Sequence, residues 1–180
     1  MHPDRAAAAV DDAVSRLRER FGSFPLVETE WVVTPDTYDR TAERAAAHIV
    51  GGAGAWVRRD REGTVEALLV READKGGWSE PAGKQEPGER LGVTACRETY
   101  EETGVECRLT GVLRAERAVH VVEGPEPQER PPLPRLVVVF DADHLCGEPR
   151  PGEPGIDEAA WLTSHPDELA YPGVAEFPIE

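Results

Sequence analysis

Lysine is nearly missing from this chain. Only Lys75 and Lys84 occur among 180 residues, against 18 arginines and 35 acidic side chains, and the formal net charge is −15. A balance this acidic argues against general attachment to nucleic acids or membrane headgroups, because both are anionic. It suits a high-salt cytoplasm, where screening makes self-repulsion tolerable, so a halophilic source is expected. Cysteine is scarce as well. Cys96, Cys107 and Cys146 are an odd number with no C-x-x-C pair, which indicates neither a disulfide framework nor a zinc site. Cys96 reads as a small buried apolar residue. No apolar run approaches the length of a membrane span. The opening residues MHPDRAAAAVDD carry acids where a secretion signal needs an apolar core, so a cytoplasmic location is expected. Internal repeats and Walker-type phosphate loops are also absent. Gly51, Gly52 and Gly54 stand in a strand-like stretch and read as close strand packing.

What is present is an alternation of helical and strand patterns. Residues 4–21 predict a helix whose apolar stripe is Ala8, Val14, Leu17 and Phe21, ended by the turn at 22–25. A strand over 26–33 follows, then a short helix opened by Thr34-Pro35-Asp36 and running towards Ala47. Strands are predicted over 49–58 and 65–71, joined by a turn at 60–63, with one or two more over 108–122. The five prolines between Gly124 and Pro134 demand a loop. A buried strand over 136–140, a Pro/Gly loop over 147–155, a last strand over 156–162 and a helical turn over 166–170 complete the pattern.

The chemistry concentrates in 23 residues, GKQEPGERLGVTACRETYEETGV, from Gly83 to Val105. A glycine turn leads into a predicted helix on which Glu98, Glu101 and Glu102 fall at i, i+3 and i+4, one face of one turn. Three like charges so close are unfavourable unless a cation sits among them. Hard carboxylate oxygens suit Mg²⁺, which keeps several waters and recruits substrate phosphates.

This stretch resembles the signature of the Nudix hydrolases: glycine, five residues, glutamate, seven residues, then Arg-Glu-apolar-any-Glu-Glu-any-Gly-apolar. Gly83, Glu89, Arg97, Glu98, Glu101, Glu102, Gly104 and Val105 fall on its fixed positions. Two positions depart from it. Thr99 stands where an apolar residue is usual, so its hydroxyl needs a partner, and Ala82 replaces a glycine, which requires a negative φ. The resemblance implies an α/β (α+β) fold, an α/β/α sandwich around a mixed central sheet in residues 48–180, with residues 1–47 as an N-terminal extension of helix, strand and short helix. That extension is expected to cover the core or to make a homodimer contact.

The resemblance further implies Mg²⁺, with Mn²⁺ as a substitute, held by Glu98, Glu101, Glu102 and the carbonyl of Ala82. Gly83, Glu89, Arg97 and Gly104 are then structural, with Arg97 paired to Glu89. A divalent ion both activates water and neutralises phosphoryl oxygens, so hydrolysis of a diphosphate linkage is the expected reaction. The water's proton goes to Glu98 or Glu101, or to an acid of a later loop: Glu153, Asp157 or, preferred, Glu158. Lys84, Arg58, Arg71 and Trp78 are the candidate substrate contacts; Arg114 is a further candidate for a phosphate, and Trp56 and Trp161 read as core. The expected substrate is a nucleoside diphosphate derivative, whether a nucleoside triphosphate or an ADP-sugar. A catalytically silent nucleotide-binding module is the alternative, although such a module should show broken glutamate positions. An RNA-decapping relative should carry a basic groove, and an isoprenoid diphosphate isomerase a catalytic cysteine with no counterpart here.

Overall fold

The structure, a computed structural model, describes residues 3–73, 76–122 and 130–179. Helix α1 (Pro3–Phe21) leads into strand β1 (Leu26–Val32) and helix α2 (Pro35–Ala46), followed by β2 (Gly51–Arg61), β3 (Thr64–Glu72), β4 (Trp78–Ser79) and β5 (Ala82–Lys84). Helix α3 (Leu91–Thr103), β6 (Glu106–Val121), β7 (Leu133–Cys146), β8 (Ile156–Leu162) and a 3₁₀ turn (Pro172–Glu176) complete the chain.

The described strands form one mixed sheet in the order β1-β6-β7-β2-β3-β4, with β5 added to β2 and β8 to β3. The β1–β6 and β2–β7 pairs are parallel and the others antiparallel. Central β2 is buried on both faces for most of its length, as a strand covered on both sides must be. Its glycines serve close approach: a Cβ on Gly52 would lie 2.6 Å from the Gly83 carbonyl oxygen, and one on Gly54 2.6 Å from the Ala82 Cβ.

One face of the sheet carries α1 and α3 over a core that includes Ala55, Leu68, Ala95, Leu136 and Phe140. The edge of Phe21 meets the Phe140 ring at 5.7 Å. On the other face, Trp56 and Leu69 pack with Val174, Phe177 and Ile179 of the C-terminal segment. Tyr38 and Ala45 of α2 cluster with Ala6 and Leu133. Residues 1–47 therefore fold onto the same sheet, β1 as its edge strand and α1 as part of a covering layer. Among the described residues no helix is long and apolar enough to cross a membrane.

Local signals account for the helix ends. Thr34 caps α2, its hydroxyl accepting from the Thr37 N–H at 3.3 Å, with Pro35 in the first turn. Gly104 ends α3 in the left-handed region at φ 74°, its N–H donating to the Tyr100 carbonyl.

Three expectations are corrected. The buried stripe of α1 is Ala6, Val10, Ala13, Val14 and Leu17, while Ala8 is exposed. Six residues before Val14 lies about 240° round the helix at the 3.6 period, which puts Ala8 on the solvent side. The strand expected over 136–140 runs from Leu133 to Cys146. Pro134 is tolerated because β2 joins β7 only from Leu136 onward, so Pro134 faces no second neighbour. The helical turn expected over 166–170 is absent. Those residues lie extended beside β4, where the Trp78 N–H donates to the Glu168 carbonyl at 2.9 Å and the Ala170 N–H to the Trp78 carbonyl at 3.0 Å. The helical turn forms instead at Pro172–Glu176. Of the loop expected over 124–134, residues 124–129 lie outside the described residues.

Candidate active site

Helix α3 turns Leu91, Ala95 and Thr99 into the core and sets Glu98 and Glu102, both buried, beneath the loop that precedes it. The Thr99 hydroxyl finds its partner in the Ala95 carbonyl at 2.7 Å. A side chain at residue 83 would displace Glu98: a Cβ there would fall 2.1 Å from the Glu98 carboxyl carbon. Beside it, the Ala82 N–H donates to Glu102 Oε2 at 3.1 Å. Among the described residues, positive φ outside glycine occurs only at His48 and Glu62, so Ala82 fits its position unstrained.

Arg97 ties loop to helix. Its Nε and Nη2 donate to the two Glu89 oxygens at 2.8 and 3.0 Å, its Nη1 to Glu98 at 2.9 Å and to Glu101 at 2.8 Å, and Nη2 also reaches the Lys84 carbonyl at 3.1 Å. Glu89 further accepts from the Glu86 N–H and the Thr94 hydroxyl at 3.0 and 2.9 Å. The Arg97 bonds, ahead of these, hold its carboxyl down at about 2. The Gln85 side chain braces the loop from within, accepting from the Val50 N–H at 2.9 Å and donating to the Glu89 carbonyl at 2.6 Å.

A third carboxylate arrives from the loop between β7 and β8. The Arg150 and Gly152 N–H groups donate to the carbonyls of Thr103 and Glu102 at 3.0 and 2.9 Å. These bonds satisfy the open end of α3. Contact is so close that a Cβ on Gly152 would lie 2.0 Å from the Glu101 carbonyl oxygen. Docked this way, the loop brings Glu153 to the helix, and oxygens of Glu98, Glu102 and Glu153 all lie within 4.8 Å of one another. Burial first, and then the charges of Glu72, Glu98 and Glu153, push the Glu102 carboxyl up to about 8, against the pull of the Ala82 N–H. Burial also raises Glu98, although Arg97 opposes it. Three hard oxygen donors converge, two of them desolvated, with one guanidinium bonded to a member of the group. A divalent cation is the charge that such a set accommodates.

Other sequence candidates stand elsewhere. Glu101 projects from α3 with 45% of its side chain exposed, in an ion pair with Arg97, which also bonds Glu98, and its charge adds to burial in raising the Glu98 carboxyl. Glu158, the loop acid preferred from sequence, is on β8, 53% exposed and paired across the sheet with Arg71 at 3.2 Å. Glu153 takes the place beside the helix because its own loop docks there. Arg71 also reaches Glu168 at 3.4 Å, and Arg58 donates to both oxygens of Asp141 at 2.8 and 2.9 Å. Arg114 pairs with Glu116 and Glu176 at 3.4 and 3.5 Å. Trp78 packs against the core formed by Trp56 and Leu69. Lys84 is exposed and lines a neighbouring cavity. Gln85 and Thr94 were not singled out from sequence. The Gln85 signal is polarity inside a tight glycine-bounded turn, which resembles ordinary loop composition, and Thr94 is one threonine among several within α3.

A family model described as NUDIX domain matches residues 49–176. Over 70 residues the chain is 41% identical to the human protein named nucleoside diphosphate-linked moiety X motif 6, covering 38% of this chain and 21% of that protein. It is 39% identical over 64 residues to the putative nudix hydrolase 1 of Caenorhabditis elegans, covering 34% of this chain and 18% of that one. The alignments thus span about a fifth of the length of these curated relatives. Among solved structures, a NUDIX hydrolase from Nitrosomonas europaea superposes with a TM-score of 0.50 at 21% identity, covering 69% of this chain and 65% of that one. At that identity the likeness speaks for the fold alone.

Proposed function

This chain belongs to the Nudix family, its NUDIX domain spanning residues 49–176, and we propose from that premise that it hydrolyses the diphosphate linkage of a nucleoside diphosphate derivative, with Mg²⁺ as cofactor and Mn²⁺ as a substitute. The observation that carries the proposal is the convergence of Glu98, Glu102 and Glu153 beside a glycine that leaves room for them. The relatives' name, which speaks of a nucleoside diphosphate-linked moiety, supports the substrate class. Residues 48–180 form the catalytic unit with residues 1–47 as its extension, and the cytoplasm is the location that the charge balance suits.

The divalent ion, when bound, offsets phosphoryl charge and makes water a better nucleophile. The chain's own groups do the rest. Glu98 and Glu102 would hold the ion, with the Ala82 carbonyl completing the protein's share. Their burial disfavours an uncompensated charge, so it strengthens their attraction to a cation that replaces the proton. Glu153, on the solvent side of the group, takes the proton of the attacking water. Arg97 and Glu89 lock the loop so that Gly83 and Ala82 keep their distance from the carboxylates. Glu101 stays beside the site on Arg97.

The test is a panel of nucleoside triphosphates, ADP-sugars and dinucleotides with Mg²⁺ or Mn²⁺, scoring released monophosphate. Glu102→Gln should lower turnover by about 100-fold or more while the protein stays folded. Glu153→Gln should lower kcat with little change in KM. Wild-type turnover in Glu102→Gln would end the metal assignment. Tight nucleotide binding without any product would favour the silent-module alternative.

A further inference from the structure

A cavity lies on the other side of β5 from the carboxylates. By strand alternation Lys84 faces opposite to Gly83, whose Cα packs against the Glu98 carboxylate. The cavity holds about 370 Å³ and is lined by Arg40, Thr41 and Arg44 of α2, by Lys84, and by Arg135 of β7. Glu43 is its one acidic lining residue, exposed. This is an odd place in a chain with 35 acids and 20 bases.

Elsewhere arginines find carboxylates, as Arg58, Arg97 and Arg117 do. Among the described residues none of the four cations here forms an ion pair. Arg40 donates to the Thr37 hydroxyl at 3.2 Å and Arg44 to the Gln85 carbonyl at 2.6 Å. Arg135 has no acceptor among the described residues, and its Nε is buried and unpartnered. Burial and the charge of Arg44 both weaken the hold of Arg135 on its proton. A desolvated guanidinium facing a second cation, with donors unmet, is a costly arrangement unless an anion supplies the missing acceptors.

We propose that this cavity is a binding site for a phosphoryl group, gripped by Arg44, Arg135, Arg40 and Lys84. A carboxylate offers two oxygens and satisfies one guanidinium fork, whereas a terminal phosphoryl group presents three and carries a second charge, which matches three forks and an ammonium. Two of the arginines come from α2, which lies outside the span 49–176 that matches the family. The site therefore joins this chain's leading segment to the loop and to β7. That loop is held at adjacent carbonyls from two sides, Lys84 by Arg97 and Gln85 by Arg44.

The phosphoryl group belongs either to a nucleotide reaching the carboxylates or to a separate phosphorylated ligand. Calorimetric titration of the full chain with inorganic phosphate, free of divalent metal and with acetate as the control anion, tests the site. It reads no turnover, so its outcome is independent of whether the carboxylate group hydrolyses anything. Saturable one-to-one phosphate binding is expected, with no comparable heat from acetate. Arg44→Gln and Lys84→Ala should each weaken it by roughly tenfold, and Arg108→Gln, whose partner is the distant Asp143, should not. Arg135→Gln should abolish it; if that variant fails to fold, Arg44→Gln and Lys84→Ala decide.

A second titration with ADP separates the sources. If Arg44→Gln weakens ADP as well and ADP excludes phosphate, the cavity receives a nucleotide's phosphates. If ADP is indifferent to both variants while phosphate is not, the ligand is a separate one. The proposal is overturned if wild type shows no saturable phosphate binding at millimolar concentration, or if Arg44→Gln and Lys84→Ala bind phosphate as wild type does.

Discussion

Gly83 shows how one missing side chain sets the chemistry. A Cβ at this position would meet the Glu98 carboxylate at 2.1 Å. Because that carboxylate is the free end of a flexible side chain, it would move rather than unfold the loop. Gly83→Ala should therefore cost stability only on the overpacking scale, about 1–3 kcal/mol, yet weaken Mg²⁺ binding and turnover by about 100-fold. Metal titration beside a thermal melt checks both halves, and an equal loss of fold and function would count against the argument. Glu102 makes a pH prediction. Its carboxyl stands at about 8 without metal, so a proton must leave when the cation binds. Mg²⁺ affinity should rise roughly tenfold per pH unit up to about 8 and then level off. The stability effect has a definite sign. Folding raises this pKa, so the contribution is full below the ordinary carboxylate range and is lost as pH rises through about 8. The metal-free melting temperature should fall over that window, and saturating Mg²⁺ should remove the fall. At this scale the sequence displays carboxylates on one helix face. The Glu101–Arg97 pair is an i,i+4 contact within that helix, whereas the arrival of Glu153 beside Glu98 depends on a loop far along the chain.

The loop and α3 act as a pair of elements clamped by Arg97. Its guanidinium serves Glu89, Glu98, Glu101 and the Lys84 carbonyl together, which an ammonium cannot do from one position. Arg97→Lys should cost on the order of 2 kcal/mol of stability and lower activity more than any direct loss of charge would. Glu89→Gln should alter the acid limb of the stability curve. With its pKa depressed to about 2, Glu89 stabilises above the ordinary carboxylate range and loses that contribution as pH falls through about 2. Equilibrium unfolding between pH 5 and pH 2 would show a shallower decline in the variant. Helices and strands were largely legible because their periodicities and caps are local: Thr34-Pro35 opens α2 and Gly104 closes α3 where the sequence places them. The segment 166–170 departs from its helical pattern because hydrogen bonds to Trp78 override it, and no local pattern announces those bonds.

Over the whole molecule the formal net charge is −15. Self-repulsion at this density should be relieved by salt within the Debye range, so the melting midpoint should rise from dilute buffer to molar KCl. A flat response would count against adaptation to a salt-rich cytoplasm. Composition, the run of elements and the spacing from Gly83 to Val105 together determined the family resemblance, the mixed α/β class and the presence of a carboxylate-bearing helix. These are legible in one sequence because each depends on neighbours within a turn or a strand. Tertiary structure alone decided which acids share one point in space, which arginines are already engaged by carboxylates, and which are left facing a cavity without one. Those outcomes depend on where the loop after β7 docks and on how α2 meets β7. Such long-range contacts are chosen by packing of the whole sheet, and no short stretch of residues encodes them.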